Sequence, residues 1–308
     1  MSEEIYENMH KTFDLVAPRI FEALKVSDLK EIYNALNDIK GPTLVTGVGG
    51  SFVSASYLAK VLNKKNKIIS TSIFPRDLKH MNLSGYENVI SCSYSGRNIG
   101  VDVSFENDLN KYLFSTGRRD NVTNIQYKVL DEEFSFVSLA GTLIPMAIAF
   151  MYYCDDLDLL KDILSKRVKY DTDNRRQYEI LYGHEDLTSA RFLESTLVEG
   201  GLGEPLLHEK YNMCHGRIIH QMNYKDSSLI YFDGDTDLDK LFKDNTLPLF
   251  DRVYTIEKEY DDEVINDFYE TFIAMQLCID IASKQGKDIS KKDILPESDI
   301  LYTYRGKM

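Results

Sequence analysis

Apolar and polar positions along the first half of the chain fall into a rhythm of short runs and helical stripes. Leu44 to Thr46 is a compact run. Beyond a loop from Gly47 to Ser51, the residues Ala55, Leu58, Ala59 and Leu62 recur on one helical face. Lys67 to Ser72 and Asn88 to Ser91 read as two further strands. After "SYSGRN" a second stripe follows, made of Val101, Phe105 and Leu109, and Tyr112 to Ser115 gives a fourth strand. Short strands separated by single helices predict a parallel sheet with crossover helices.

The stretch from Asp155 to Tyr178, "DDLDLLKDILSKRVKYDTDNRRQY", turns highly charged and reads as a connecting helix and linker. The rhythm then restarts with a strand from Tyr178 to Tyr182, a loop from Gly183 to Leu187 and a helix from Thr188 to Glu199 that Gly200 ends. Ser228 to Phe232 and Arg252 to Ile256 supply more strands. Val264 to Lys284 is a long helix carrying Phe268, Phe272, Met275, Leu277 and Ile279. The prediction is an α/β chain in two parts, 1–160 with amino-terminal helices and 161–308 with a carboxyl-terminal tail. The repeat is one of architecture, with little identity of letters.

One segment tests the globular reading. Phe134 to Cys154, "FSFVSLAGTLIPMAIAFMYYC", has no charged residue and is long enough to span a bilayer. It also carries Ser135, Ser138, Gly141, Thr142 and Pro145, and its flanks are acidic where Lys and Arg set membrane topology. A fully buried helix is the expectation, with no membrane partner.

Composition narrows the partners further. The excess of 49 acidic over 36 basic residues gives a formal charge of -13, which argues against a nucleic-acid backbone as partner. An anionic ligand must therefore be held by local geometry. Cys92, Cys154, Cys214 and Cys278 are widely spaced without a CxxC pair, so neither a zinc site nor a disulfide framework is indicated. The start "MSEEIYENMHKTF" lacks the features of a signal peptide, so the glycosylation matches at Asn82 and Asn121 read as chance and the cytoplasm as the expected compartment.

Two loops carry the candidate chemistry. In "TGVGGSFVSASYLAKVL", Gly47, Gly49 and Gly50 permit a sharp turn and a close backbone approach, and Ser51 stands where the following helix offers free N–H groups and its positive end. That arrangement suits a phosphate. A dinucleotide site is the rival, but the third glycine of G-x-G-x-x-G is missing and no acidic residue ends a strand at the required distance. A nucleotide-dependent enzyme is thus the weaker alternative. "SCSYSGRN" places Ser93, Tyr94, Ser95, Gly96, Arg97 and Asn98 at a second strand-to-helix turn, and two such loops at neighbouring strand ends can close on one anion.

These two loops resemble the phosphate loops of the sugar isomerase (SIS) domain, whose second loop usually reads S-x-S-G-x-T. The uncharged segment, the two-part layout and the amino-terminal stretch "YENMHKTFDLVAPRIFEALK" are similar to the isomerase half of glucosamine-6-phosphate synthase and to related sugar-phosphate deglycases. The resemblance implies two tandem three-layer α/β/α units with mainly parallel, flavodoxin-like sheets. It implies that Gly49, Gly50, Ser51, Ser93, Tyr94, Ser95 and Asn98 bind the phosphate, Asn98 standing where the family usually has threonine. Ser138 and Glu194 would face the sugar.

In the second half, the spacing from Glu199 to His215 resembles the family's stretch from its catalytic glutamate to its His-Gly pair, and Asn212 takes the place of a family acid. Moving a carbonyl between adjacent sugar carbons needs a base beside it and a second group for proton traffic. A glutamate raised by partial burial and a histidine meet that need. His208, His215 and His220 lack the one-turn pairing that helical zinc sites favour, so no metal and no cofactor is expected. Departures bear on the reaction. No glutaminase domain is present, Thr196 stands near one ring-opening lysine of the synthase, and the tail's only lysine is Lys307, which argues against a Schiff-base route. What remains is an isomerase or deglycase acting on an (amino)sugar phosphate through Glu199 and His215. The resemblance further implies a homodimer with shared active sites. The alternative from another class is a non-catalytic phosphosugar sensor, although no DNA-binding segment precedes Gly41.

Overall fold

A computed structural model describes residues 12–131, 133, 135–223, 226–291 and 297 of the chain. Within it, Asp14–Leu157 forms one compact unit and Asp158–Ile289 the other.

The first unit holds a five-stranded sheet: β1 (Thr43–Thr46), β2 (Ser70–Ile73), β3 (Asn88–Cys92), β4 (Asn110–Ser115) and β5 (Thr123–Gln126). All pairings are parallel, in the order β2-β1-β3-β4-β5. Chain order reverses between β1 and β3, and Thr46 pairs with Ser91, so these two strands end side by side. In open α/β sheets the crevice at such a reversal is the usual ligand position. The helices are α1 (Val16–Val26), α2 (Leu29–Asp38), α3 (Gly50–Val61), α4 (Ile99–Ser104) and α5 (Ala140–Cys154).

The uncharged segment supplies α5, which is buried on all sides; Leu143, Ile144, Met146, Ala147, Ile148, Ala149 and Phe150 are at most 3% exposed. Each such large side chain contributes roughly 1.5–3 kcal/mol through burial. Among the described residues no helix is long and apolar enough to cross a membrane. α3 packs on α5, so it too is buried beyond the predicted stripe of Ala55, Leu58, Ala59 and Leu62. The contact is close: a Cβ on Gly50 would sit 2.2 Å from Thr142 Oγ1.

The second unit repeats the strand order with one strand fewer. β6 (Gln177–Tyr182), β7 (Glu204–Glu209), β8 (Ser228–Phe232) and β9 (Val253–Ile256) are all parallel, in the order β7-β6-β8-β9. Its helices are α6 (Leu157–Ser165), α7 (Leu187–Glu199), α8 (Ile218–Asn223), α9 (Asp237–Asn245) and α10 (Glu263–Gln285), with α10 packed along α7.

Two expectations need correction. The strand expected at Lys67 begins at Ser70, because α3 runs on through a wide turn over Leu62–Asn66 that ends at Lys67 with φ 57°. β5 and β7 lie where the reading of the sequence placed no strand. The predicted amino-terminal helix starts outside the described residues, as does the tail with Lys307.

Candidate functional site

The first loop leaves β1 at Thr46 and enters α3. A Cβ on Gly47 would lie 2.2 Å from the backbone oxygen of Ser51, so the turn admits no side chain there. Gly49 caps α3 at φ 57°, ψ -136°, a conformation that favours glycine, and no side chain caps the helix. The helix start is therefore without a side-chain cap from its N-cap position.

The second loop leaves β3 and fixes its polar groups by short-range bonds. Gly96 N donates to Ser93 Oγ (3.2 Å), Arg97 N to Ser95 Oγ (3.4 Å) and Gly100 N to Asn98 Oδ1 (2.7 Å). Each side chain thus uses an acceptor locally and keeps its hydrogens to give. Gly47, Ser51, Ser93, Tyr94, Ser95 and Asn98 line a cavity of about 170 Å³ at the β1/β3 reversal. Cys92 also borders it, but burial pushes its thiol well up and away from thiolate chemistry.

A larger cavity of about 700 Å³ shares Tyr94, Ser95 and Asn98 with the first and adds Arg97, Thr116, Glu133, Ser135 and Ser138. Its floor is the start of α5. Glu133 accepts from Leu139 N (3.0 Å), Ala140 N (2.9 Å), Gly141 N (2.9 Å) and Ser138 Oγ (3.2 Å). The positive end of α5 is thus filled by the chain's own carboxylate, whereas the N-cap of α3 is a glycine. Reading the sequence missed Glu133; an acidic residue shortly before a helix start was its only signal.

Glu194, Glu199 and His215 lie in the second unit. Glu199 closes α7 and stays accessible to solvent; the protein crowding around it, and secondarily the charge of Glu194, pushes its carboxyl above the usual range. Glu194, half-buried, is raised by burial while Arg191 draws it back down. His215 stands exposed on a turn over Met213–Arg217 whose helical path breaks at His215 (φ -94°, ψ 39°) and Gly216 (φ 96°). Asn212, just before it, donates its backbone N–H to Glu209 (2.9 Å).

Of the three histidines grouped by the sequence, two come together and one stands apart. His208 on β7 and His220 on α8 both meet the buried Glu179 of β6, His220 at 3.0 Å, while His215 belongs to neither pair. Glu179 so ties down the strand before the His215 turn and the helix after it. Among the described residues no cluster of His, Cys, Asp and Glu is arranged to hold a metal ion.

In sequence, no family model and no curated protein matches the chain. In structure, it superposes on the C-terminal domain of glucosamine-fructose-6-phosphate aminotransferase from Francisella tularensis with a TM-score of 0.67, at 11% identity, over 95% of this chain and 99% of that one. Tagatose-6-phosphate ketose/aldose isomerase from Escherichia coli gives a TM-score of 0.67 at 13% identity, covering 94% of this chain and 96% of the other. Glucosamine-6-phosphate deaminase from Thermotoga maritima gives 0.65 at 13% identity, over 94% and 98%. At these identities the likeness speaks for the fold. The chain has the fold of the sugar isomerase (SIS) proteins, the fold its two loop sequences lead one to expect.

Proposed function

We propose that the first unit binds a phosphorylated sugar, with its phosphate in the 170 Å³ cavity against Ser51, Ser93, Ser95 and Asn98, the backbone of Gly49, Gly50 and Tyr94, and the start of α3. The observation that carries this reading is the polarity of the loop: Ser93, Ser95 and Asn98 each accept one backbone N–H group of the loop and keep their hydrogens to give. An anion needs donors, and a helix of this length adds its dipole. The names of the three superposed proteins all carry a sugar 6-phosphate, which supports the same substrate class.

The reaction in this reading is proton transfer beside the sugar carbonyl. Glu199 takes the proton from carbon, the resulting enediol returns it to the neighbouring carbon, and His215 passes protons between the oxygens. Aldose and ketose interconvert with no atom gained or lost; release of an amine from an amino sugar or adduct takes up one water. Ser138 and Glu194 face the sugar. The exposed, bulged position of His215 supports a homodimer in which each copy lends this residue to its neighbour's site.

Proton NMR in deuterated water, with hexose, hexosamine and fructosamine phosphates, tests the reading. Deuterium should enter the carbon beside the carbonyl with the wild type, and Glu199→Gln should slow that exchange by about 100-fold or more. Because the carboxyl of Glu199 is raised and must be ionised to act, exchange should fall away on acidification at a pH above about 4, where an ordinary glutamate titrates. Binding without exchange in the wild type would leave a phosphosugar sensor.

A further inference from the structure

The second phosphate loop is braced by the turn that follows β4. Ser93 N donates to Phe114 O (3.1 Å), and Tyr94 O accepts from both Thr116 N (2.9 Å) and Thr116 Oγ1 (2.7 Å). A Cβ on Gly117 would lie 2.3 Å from Ser95 O, so the two backbones meet directly. Two residues further on, Arg119 reaches back to the loop. Its Nε donates to Gly96 O (2.7 Å), and its Nη1 pairs with Asp102 of α4, the helix into which the loop runs. The turn that carries Arg119 is itself closed, since Arg119 N donates to Asn124 Oδ1 (2.9 Å) and Asn124 Nδ2 to Arg119 O (2.9 Å).

These bonds take up carbonyl oxygens, which an anion avoids. Each peptide of the loop has a negative edge and a positive one, and because a trans peptide is flat the two point in opposite directions. With Gly96 O turned onto the guanidinium, the N–H of Arg97 points the other way, toward Ser95 Oγ (3.4 Å). Ser95 lines the small cavity, so the donor edge of this peptide is on the ligand's side. Gly96 stands at φ 70°, with no side chain to keep that peptide from turning over and presenting its carbonyl instead. A cation on the carbonyl holds it back and also polarises the peptide, which makes the N–H on the far edge a stronger donor.

Arg119 is not among the residues that line either cavity. Its pair with Asp102 is partly open to solvent, at 27% and 55% exposure, and adds little to stability. Resting on the phosphate-loop reading above, we propose that Arg119 is a positioning residue of the anion site, which fixes the Gly96–Arg97 peptide with its carbonyl away from the ligand and its N–H on the side of Ser95. Arg118 has the same charge one residue earlier but donates to Gln126 Oε1 (2.6 Å) and takes no part.

Amide NMR of the full chain, titrated with inorganic phosphate, tests this. In the wild type the amides of Ser95 and Arg97 should shift as phosphate is added. Arg119→Met, which keeps the stem and removes the fork with its charge, should weaken phosphate about tenfold and displace the Arg97 amide before any ligand is present, with Tm nearly unchanged. Arg118→Met should leave both affinity and the Arg97 amide as in the wild type. Should Arg119→Met fail to fold, Arg119→Lys decides, because a single ammonium does not span Gly96 O and Asp102 as the fork does; a severalfold loss is then expected. Phosphate affinity kept in the variant that folds, an Arg97 amide that stays in place, or an equal loss in Arg118→Met would overturn the proposal. Failure of the wild type to bind inorganic phosphate would instead sink the phosphate-loop reading, and this inference with it.

Discussion

The same topological reversal occurs in both units, between β1 and β3 in the first and between β6 and β8 in the second, and the chain uses it in opposite ways. In the first, glycines and small hydroxyls leave a cavity of about 170 Å³ edged by donors. In the second, the strand ends are filled with charge that satisfies itself. Lys210, which follows β7 and is 4% exposed, pairs with Asp239, which is 1% exposed. Asp239 also accepts from Tyr231 OH (2.8 Å), Thr236 N (3.0 Å) and Thr236 Oγ1 (2.6 Å). Burial would raise its carboxyl, but these partners, Lys210 foremost, hold it down at about 2. A shared backbone plan therefore settles where a ligand can sit, and the residues after each strand settle whether one does.

The comparison breaks most visibly if Lys210 is replaced. Lys210→Met leaves Asp239 buried without its cation, which should cost about 3–5 kcal/mol of stability in chemical denaturation. Any change in phosphate affinity beyond twofold would show that the second unit's cluster is not merely structural.

Removing the donors from the first unit should leave stability nearly intact and take away binding. Ser93→Ala combined with Ser95→Ala deletes two charge-assisted hydrogen bonds and should weaken inorganic phosphate or sugar phosphate about 100-fold or more by calorimetry. Affinity kept in that variant would end the reading of these loops as an anion site.

A smaller effect sharpens the contrast through pH. Asp186, after β6, is buried and lifted to about 7, with the charges of Glu185 and Asp267 adding to burial and Lys210 opposing. A carboxyl raised in the folded state gives stability that is whole below its unfolded value of about 4 and is lost as pH climbs to about 7. Asp186→Asn, which can still accept from Gly183 N, should flatten the decline in Tm across that window in a calorimetric scan.

Much of this architecture is legible in the letters. β1, β3 and β8 are apolar runs that stop at glycine or polar turns, and the structure buries every residue of them. β5, "TNIQ", and β7, "EPLLHE", escape notice for the reason edge strands usually do. They are half-exposed, and β7 carries a proline and charged ends that guard an open edge at the cost of any apolar signature. The anion loops are legible because their geometry is local, a few residues turning on themselves. Glu133 and the pair Lys210–Asp239 are not, since each acts through atoms that only the folded chain brings near.

The close seating of α3 on α5 has a further consequence. Gly50 admits Thr142 where any side chain would collide, and Ser54 Oγ donates to Thr142 O at 3.0 Å. The helix start beside the small cavity and the one beside the large cavity are thereby joined by direct packing and a hydrogen bond. In the reading proposed above, that seating sets the span between the two cavities, so ligands would be sorted by the length between their two ends as well as by the chemistry at each.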